Sequence, residues 1–60
     1  MTTIMTYGRN RDKFQKLFAD AKFEGYECNI RFAYFSFKNK VSKTKIQAIC
    51  EIEKIKINFE

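Results

Sequence analysis

Asn29 and Arg31 lie on a stretch, Tyr26 to Phe37, that holds five of the chain's ten aromatic residues. Aromatic faces beside guanidinium and amide groups are what unstacked nucleobases or a partner protein's anchor residues pack against. Directly after it, KNKVSKTK at 38–45 supplies Lys38, Lys40, Lys43 and Lys45 with no acid among them, a basic tip suited to phosphate oxygens. Arg9 and Arg11, with Lys13 and Lys16, make a third basic stretch. The candidate contacts to nucleic acid or a partner are therefore Arg9, Arg11, Asn29, Arg31, Phe35, Phe37, Lys38, Lys40, Lys43 and Lys45. A plainer role is open to each: charges solvate a surface and keep an aromatic-rich protein soluble, and a small protein always exposes some aromatics.

Catalytic chemistry is sparse by comparison. The chain has no histidine, so the common general base, zinc ligand and pH switch are missing. Cys28 and Cys50 have no imidazole partner, two thiols alone make no metal site, and both are expected as buried thiols rather than a disulfide. Glu51 and Glu53 are read as solvated carboxylates rather than an acid–base pair. With Gly8 and Gly25 as the only glycines, a Gly-rich phosphate loop is excluded. The expectation is a protein that is not an enzyme and carries neither cofactor nor metal.

Length and charge narrow the partner. Sixty residues make one domain, 1–60, near the lower limit for folding without a disulfide or metal. A net charge of +5 favours a polyanion, or the acidic surface of another protein. No stretch approaches the roughly 18 apolar residues that cross a bilayer, and MTTIMTYGRN lacks a signal peptide's apolar core, so a cytoplasmic protein without membrane contact is expected.

The elements that position these residues follow from periodicity. Thr2 to Tyr7 is β-prone and ends at Gly8, which reads as a first strand. Phe14, Leu17, Phe18 and Ala21 recur on one helical face between Asn10, a candidate N-cap, and Gly25, a candidate C-terminal cap; the spacing predicts a helix from Arg11 to Glu24. Tyr26 to Phe37 reads as one strand, with Tyr26, Cys28, Ile30, Phe32, Tyr34 and Ser36 facing the core and Asn29, Arg31, Phe35 and Phe37 facing outward. The segment 44–59 fits either period, and Thr44 with Gln47 suggests a capping box, but five isoleucines favour a strand. At 3.3 Å per residue that strand would be roughly 50 Å long, so it must bend, break or extend beyond the body. An extension would pair with a second copy or another protein.

Within the central stretch, Ile30 to Phe37 partly resembles the aromatic strand signature of RNA-recognition motifs, K/R-G-F/Y-G/A-F-V-x-F/Y. Phe32, Ala33, Tyr34 and Phe37 match; Ile30 stands at the basic position, Arg31 at the glycine and Phe35 at the aliphatic one. The resemblance covers eight residues and implies that Phe32 and Tyr34 stack on bases, whereas the alternation above puts them in the core. It also implies two helices and four strands, for which a chain of 60 residues is expected to be too short.

The expected fold is α+β, ordered β-α-β-β, with one helix packed on a small antiparallel sheet and a long C-terminal hairpin, 26–37 against 44–59. The expected function is a small regulatory binding protein contacting nucleic acid through a basic and aromatic surface. The alternative is an accessory protein of the phage or mobile-element type, suggested by size and Lys, Ile, Phe and Asn richness. Such a protein would inhibit or redirect a host protein through an exposed β edge and an aromatic patch. A homodimer through the C-terminal strand is compatible with either.

Overall fold

The computed structural model describes residues 1–60. In chain order it has β1 (Thr2–Tyr7), a 3-10 turn at Gly8–Asn10, α1 (Arg11–Leu17), β2 (Lys22–Glu27), β3 (Phe32–Phe37), α2 (Lys43–Ile52) and β4 (Ile57–Phe59). The strands form one antiparallel sheet ordered β2-β3-β1-β4. The class is α+β with helix packed on a small antiparallel sheet, and the full order β-α-β-β-α-β is the split β-α-β arrangement. One helix and one strand more than expected fit into a body of 29 × 24 × 19 Å.

A single core lies between the helices and one sheet face. Ile4 from β1, Ala33, Phe35 and Phe37 from β3, Phe14 from α1, and Ile46 and Cys50 from α2 are buried together with Ala21 and Ile55. Phe14 is its centre, with ring centroids 4.6 Å from Phe35 and 4.8 Å from Phe18. Thr6 is also buried, and its hydroxyl donates to the Lys56 carbonyl at 2.8 Å, which ties the approach of β4 to β1.

The helix predicted over 11–24 stops at Leu17. Phe18 leaves helical geometry, and the Gln15 side-chain amide donates to the carbonyls of Phe18 and Ala21, so those two polar groups are satisfied by a turn instead of another helical turn. Phe14, Phe18 and Ala21 do reach the core as the periodicity suggested, but Ala21 arrives from the turn and Leu17 is partly exposed. Asn10 makes no side-chain cap. Gly25 is not a helix cap either: it sits in β2 at φ 129°, beside a bulge between Phe23 and Gly25.

The strand predicted over 26–37 is a hairpin. Cys28, Asn29 and Ile30 adopt φ of 52°, 58° and 66°, a left-handed turn that reverses the chain between β2 and β3. For residues other than glycine this costs roughly 1–2 kcal/mol each. The reversal inverts the face assignment. Ala33, Phe35 and Phe37 are the core row, and Phe32 and Tyr34 point to the opposite face. Phe35 and Phe37 are thus buried, not surface candidates.

The segment 44–59 breaks instead of extending. Ser42 caps α2 by accepting from the Lys45 backbone N–H at 3.3 Å, two residues before Thr44, where the capping-box pattern placed the cap. Helix propensity differences between isoleucine and better formers are only a few tenths of a kcal/mol, so burying Ile46 and Cys50 decides the outcome. The helix ends in a left-handed cap at Lys54, φ 60°: Lys54 N–H donates to the Glu51 carbonyl and Ile55 N–H to that of Cys50, while Ile55 and Cys50 are both in the core. β4 then pairs with β1, from Ile4↔Phe59 to Thr6↔Ile57, and the chain's hairpin is β2 with β3.

Candidate nucleic-acid interface

Both helices pack on one side, which leaves the other face of the sheet uncovered. Its two central strands present Met5 and Tyr7 from β1 beside Tyr34 and Phe32 from β3, paired Met5↔Tyr34 and Tyr7↔Phe32. The Tyr7 and Phe32 rings stack with centroids 5.9 Å apart and planes 25° from parallel. Beside them on the β4 side, Lys56 and Asn58 join Met5, Tyr7 and Phe32 around a shallow groove of about 260 Å³. The β2 side is different in character. Glu27 accepts from the Tyr34 hydroxyl at 3.2 Å, and Glu24 accepts from Ser36. Desolvation, the bond to Glu27 and the carboxylates of Glu27 and Glu60 push the Tyr34 phenol above its ordinary pKa of 10.0. Tyr34 is therefore held as a neutral donor along an acidic margin, and the aromatic surface beside cations is the Tyr7–Phe32 half.

At the Tyr7 end of the sheet the left-handed turn folds over Gly8. Gly8 donates its N–H to the Arg31 carbonyl at 2.8 Å, and the Ile30 carbonyl lies where a side chain at position 8 would begin. Tyr7, Gly8, Arg9, Tyr26, Ile30 and Arg31 line the concavity that results, about 610 Å³ and open to solvent. Arg9 places its guanidinium carbon 5.2 Å from the Tyr7 ring centre.

The ten residues singled out by sequence fall into separate groups. Arg9 and Arg31 come together at the Tyr7 end, with exposed Asn29 in the adjoining turn. Arg11 is occupied: it lies 4.2 Å over the Phe23 ring, pairs with Asp12 at 2.8 Å, and has its Nε enclosed without a partner. Lys38, Lys40, Lys43 and Lys45 are exposed at the other end of the sheet, since Phe37 pairs with Thr2 and Phe32 with Tyr7. Five residues of strand separate the two ends, about 17 Å. Lys43 there sits 5.6 Å from the centre of the Phe59 ring.

Sequence reasoning missed Tyr7, Met5, Lys56 and Asn58, because their association requires β1 and β4 to be neighbours, which no local pattern encodes. Phe32 and Tyr34 were signalled by the resemblance alone. Both cysteines are free; Cys50 is buried as expected, whereas Cys28 is exposed in the turn. No three histidine, cysteine or carboxylate side chains converge as metal ligands, and no helix is long and apolar enough to cross a membrane. No family model, curated protein or solved structure matches this chain.

Proposed function

We propose that this protein is a small non-enzymatic regulatory module that binds single-stranded nucleic acid on the open sheet face. The stacked pair Tyr7–Phe32, uncovered and flanked by Arg9, Arg31, Lys56 and Asn58, carries the reading. Aromatic faces hold bases only when those bases are unstacked, which favours a single strand over a duplex, and the neighbouring cations supply phosphate contacts. Phe32 and Tyr34 also stand at the stacking positions of the RNA-recognition signature, and both point to the uncovered face. Titration of labelled single-stranded oligonucleotides at two salt concentrations tests this. Binding through three cations would weaken with salt at a logarithmic slope of about −2. Absent or salt-indifferent binding overturns it.

The second reading, inhibition or redirection of a host protein through a β edge, is supported by the two outer strands, β2 and β4, which have no neighbour on one side. The bulge in β2 and the three-residue length of β4 blunt both edges, which ranks this reading below the first. A specific protein recovered from nuclease-treated host lysate, by a chain that binds no oligonucleotide, would reverse the order. Edge-to-edge dimerisation through β4 predicts a dimer by sedimentation; a monomer at high concentration removes it.

A further inference from the structure

We propose that the concavity at the Tyr7 end of the sheet is a phosphate site that prefers a terminal phosphate monoester, so that the protein distinguishes the end of a strand from its interior. The source of the phosphate rests on the nucleic-acid reading above; the site itself rests on its own geometry. At about 610 Å³ it lies in the range of small-molecule sites, roughly 300–1,000 Å³. Tyr7 and Tyr26 are among the residues that line it, and its cations are Arg9 and Arg31.

Those two arginines are uncompensated. The ion pairs of the chain are Arg11 with Asp12 and Lys13 with Glu53. Glu24, Glu27, Glu51 and Glu60 are engaged by Ser36, Tyr34, Gln47 and Asn58. Neither Arg9 nor Arg31 has a carboxylate within ion-pair distance, yet the fold brings both to one concavity, through the Gly8–Arg31 backbone bond and a left-handed turn at three non-glycine residues. Two guanidinium groups sharing a site repel one another until an anion of matching charge lies between them. A phosphate monoester carries about −1.5 to −2 at neutral pH with three terminal oxygens, whereas an internal diester carries a single charge and two free oxygens. The planar donor forks of Arg9 and Arg31 suit the former. Tyr7 belongs both to this site and to the stacked pair on the sheet face, so a terminal base resting on that ring would have its phosphate beside Arg9.

The test is fluorescence anisotropy of the full chain with one short single strand prepared with hydroxyl ends, a 5′-phosphate or a 3′-phosphate. A companion titration follows the backbone amides by NMR with a nucleoside 5′-monophosphate alone. One phosphorylated end should bind about tenfold more tightly, the size expected of one or two charge-assisted hydrogen bonds. Arg9→Gln and Arg31→Gln should each remove that difference, and Lys40→Gln, at the far end of the sheet, should keep it. Equal affinity for all three ends, or a preference that survives both arginine substitutions, overturns the end site while leaving the sheet-face reading intact. Shifts at Gly8 and Arg31 with the monophosphate, without binding of the hydroxyl-ended strand, support the end site and overturn the sheet-face reading. No binding of either ligand overturns both.

Discussion

Gly8 donates its backbone N–H to the Arg31 carbonyl at 2.8 Å, and its missing side chain is what allows the Ile30 carbonyl to close against it. This contact joins the end of β1 to the turn between β2 and β3, so it fixes where Arg31 sits relative to Arg9. Gly8→Ala places a methyl group against backbone, which cannot rotate away. The substitution should destabilise the protein by about 1–3 kcal/mol, as overpacking does. A urea midpoint unchanged from the parent would show that the turn is free to move off Gly8.

How much of this was legible in the sequence depends on whether each change of direction has a residue that announces it. β1 ends at Tyr7, just before Gly8, and α1 begins at Arg11, and both are readable. The reversal at Cys28–Ile30 was not, because it contains neither glycine nor proline and Asn29 is its only turn-forming residue. Missing that turn kept 26–37 as one strand and placed Phe35 and Phe37 at the surface. Alternation alone could not correct this, since both rows of β3 carry large aromatics. The end of α2 was hidden in the same way, by Lys54 in a position that usually holds glycine. The class, α+β with helix on an antiparallel sheet, is legible nonetheless, because the β-prone residues of 2–7 and the helical period that starts at Arg11 each identify an element that forms.

Lys54 is a consequence that can be measured. At φ 60° its Cβ meets steric resistance that glycine avoids, while the two cap hydrogen bonds use only the backbone. Lys54→Gly should stabilise the fold by about 0.5–1 kcal/mol, the left-handed penalty less glycine's greater flexibility when unfolded. Lys54→Val should destabilise it. Thermal or urea unfolding of the pair checks the sign, and equal shifts in the same direction would contradict a left-handed cap.

Substitutions on β3 should separate binding from folding by parity. Phe35→Ala empties the centre of the core next to Phe14 and should cost about 3–5 kcal/mol, comparable with the whole stability of a 60-residue domain. Phe32→Ala and Tyr7→Ala act on the open face. Each should leave a folded protein by circular dichroism and weaken single-strand binding by about 1–3 kcal/mol, the worth of one base stacked on an aromatic ring. If Phe32→Ala unfolds the chain and Phe35→Ala does not, the face assignment is inverted.

The two thiols should differ in reactivity and in their effect on stability at high pH. Cys28 is exposed in the turn and should react with a thiol reagent at once, whereas Cys50, enclosed by the core, should react only as the protein opens. Burial also pushes the Cys50 thiol above its ordinary pKa of 9.0. With the folded pKa raised, the native state retains a proton that the unfolded state releases, so stability is fully present below about pH 9 and falls as pH rises toward the folded value. Urea midpoints at about pH 7 and about pH 9.5 should therefore separate more in the parent than in Cys50→Ala, which has no thiol to titrate there. Cys50→Ala loses some packing at both pH values, so the comparison is between the two separations rather than between absolute midpoints. Equal separations would mean that the Cys50 thiolate is no less stable in the core than in the unfolded chain.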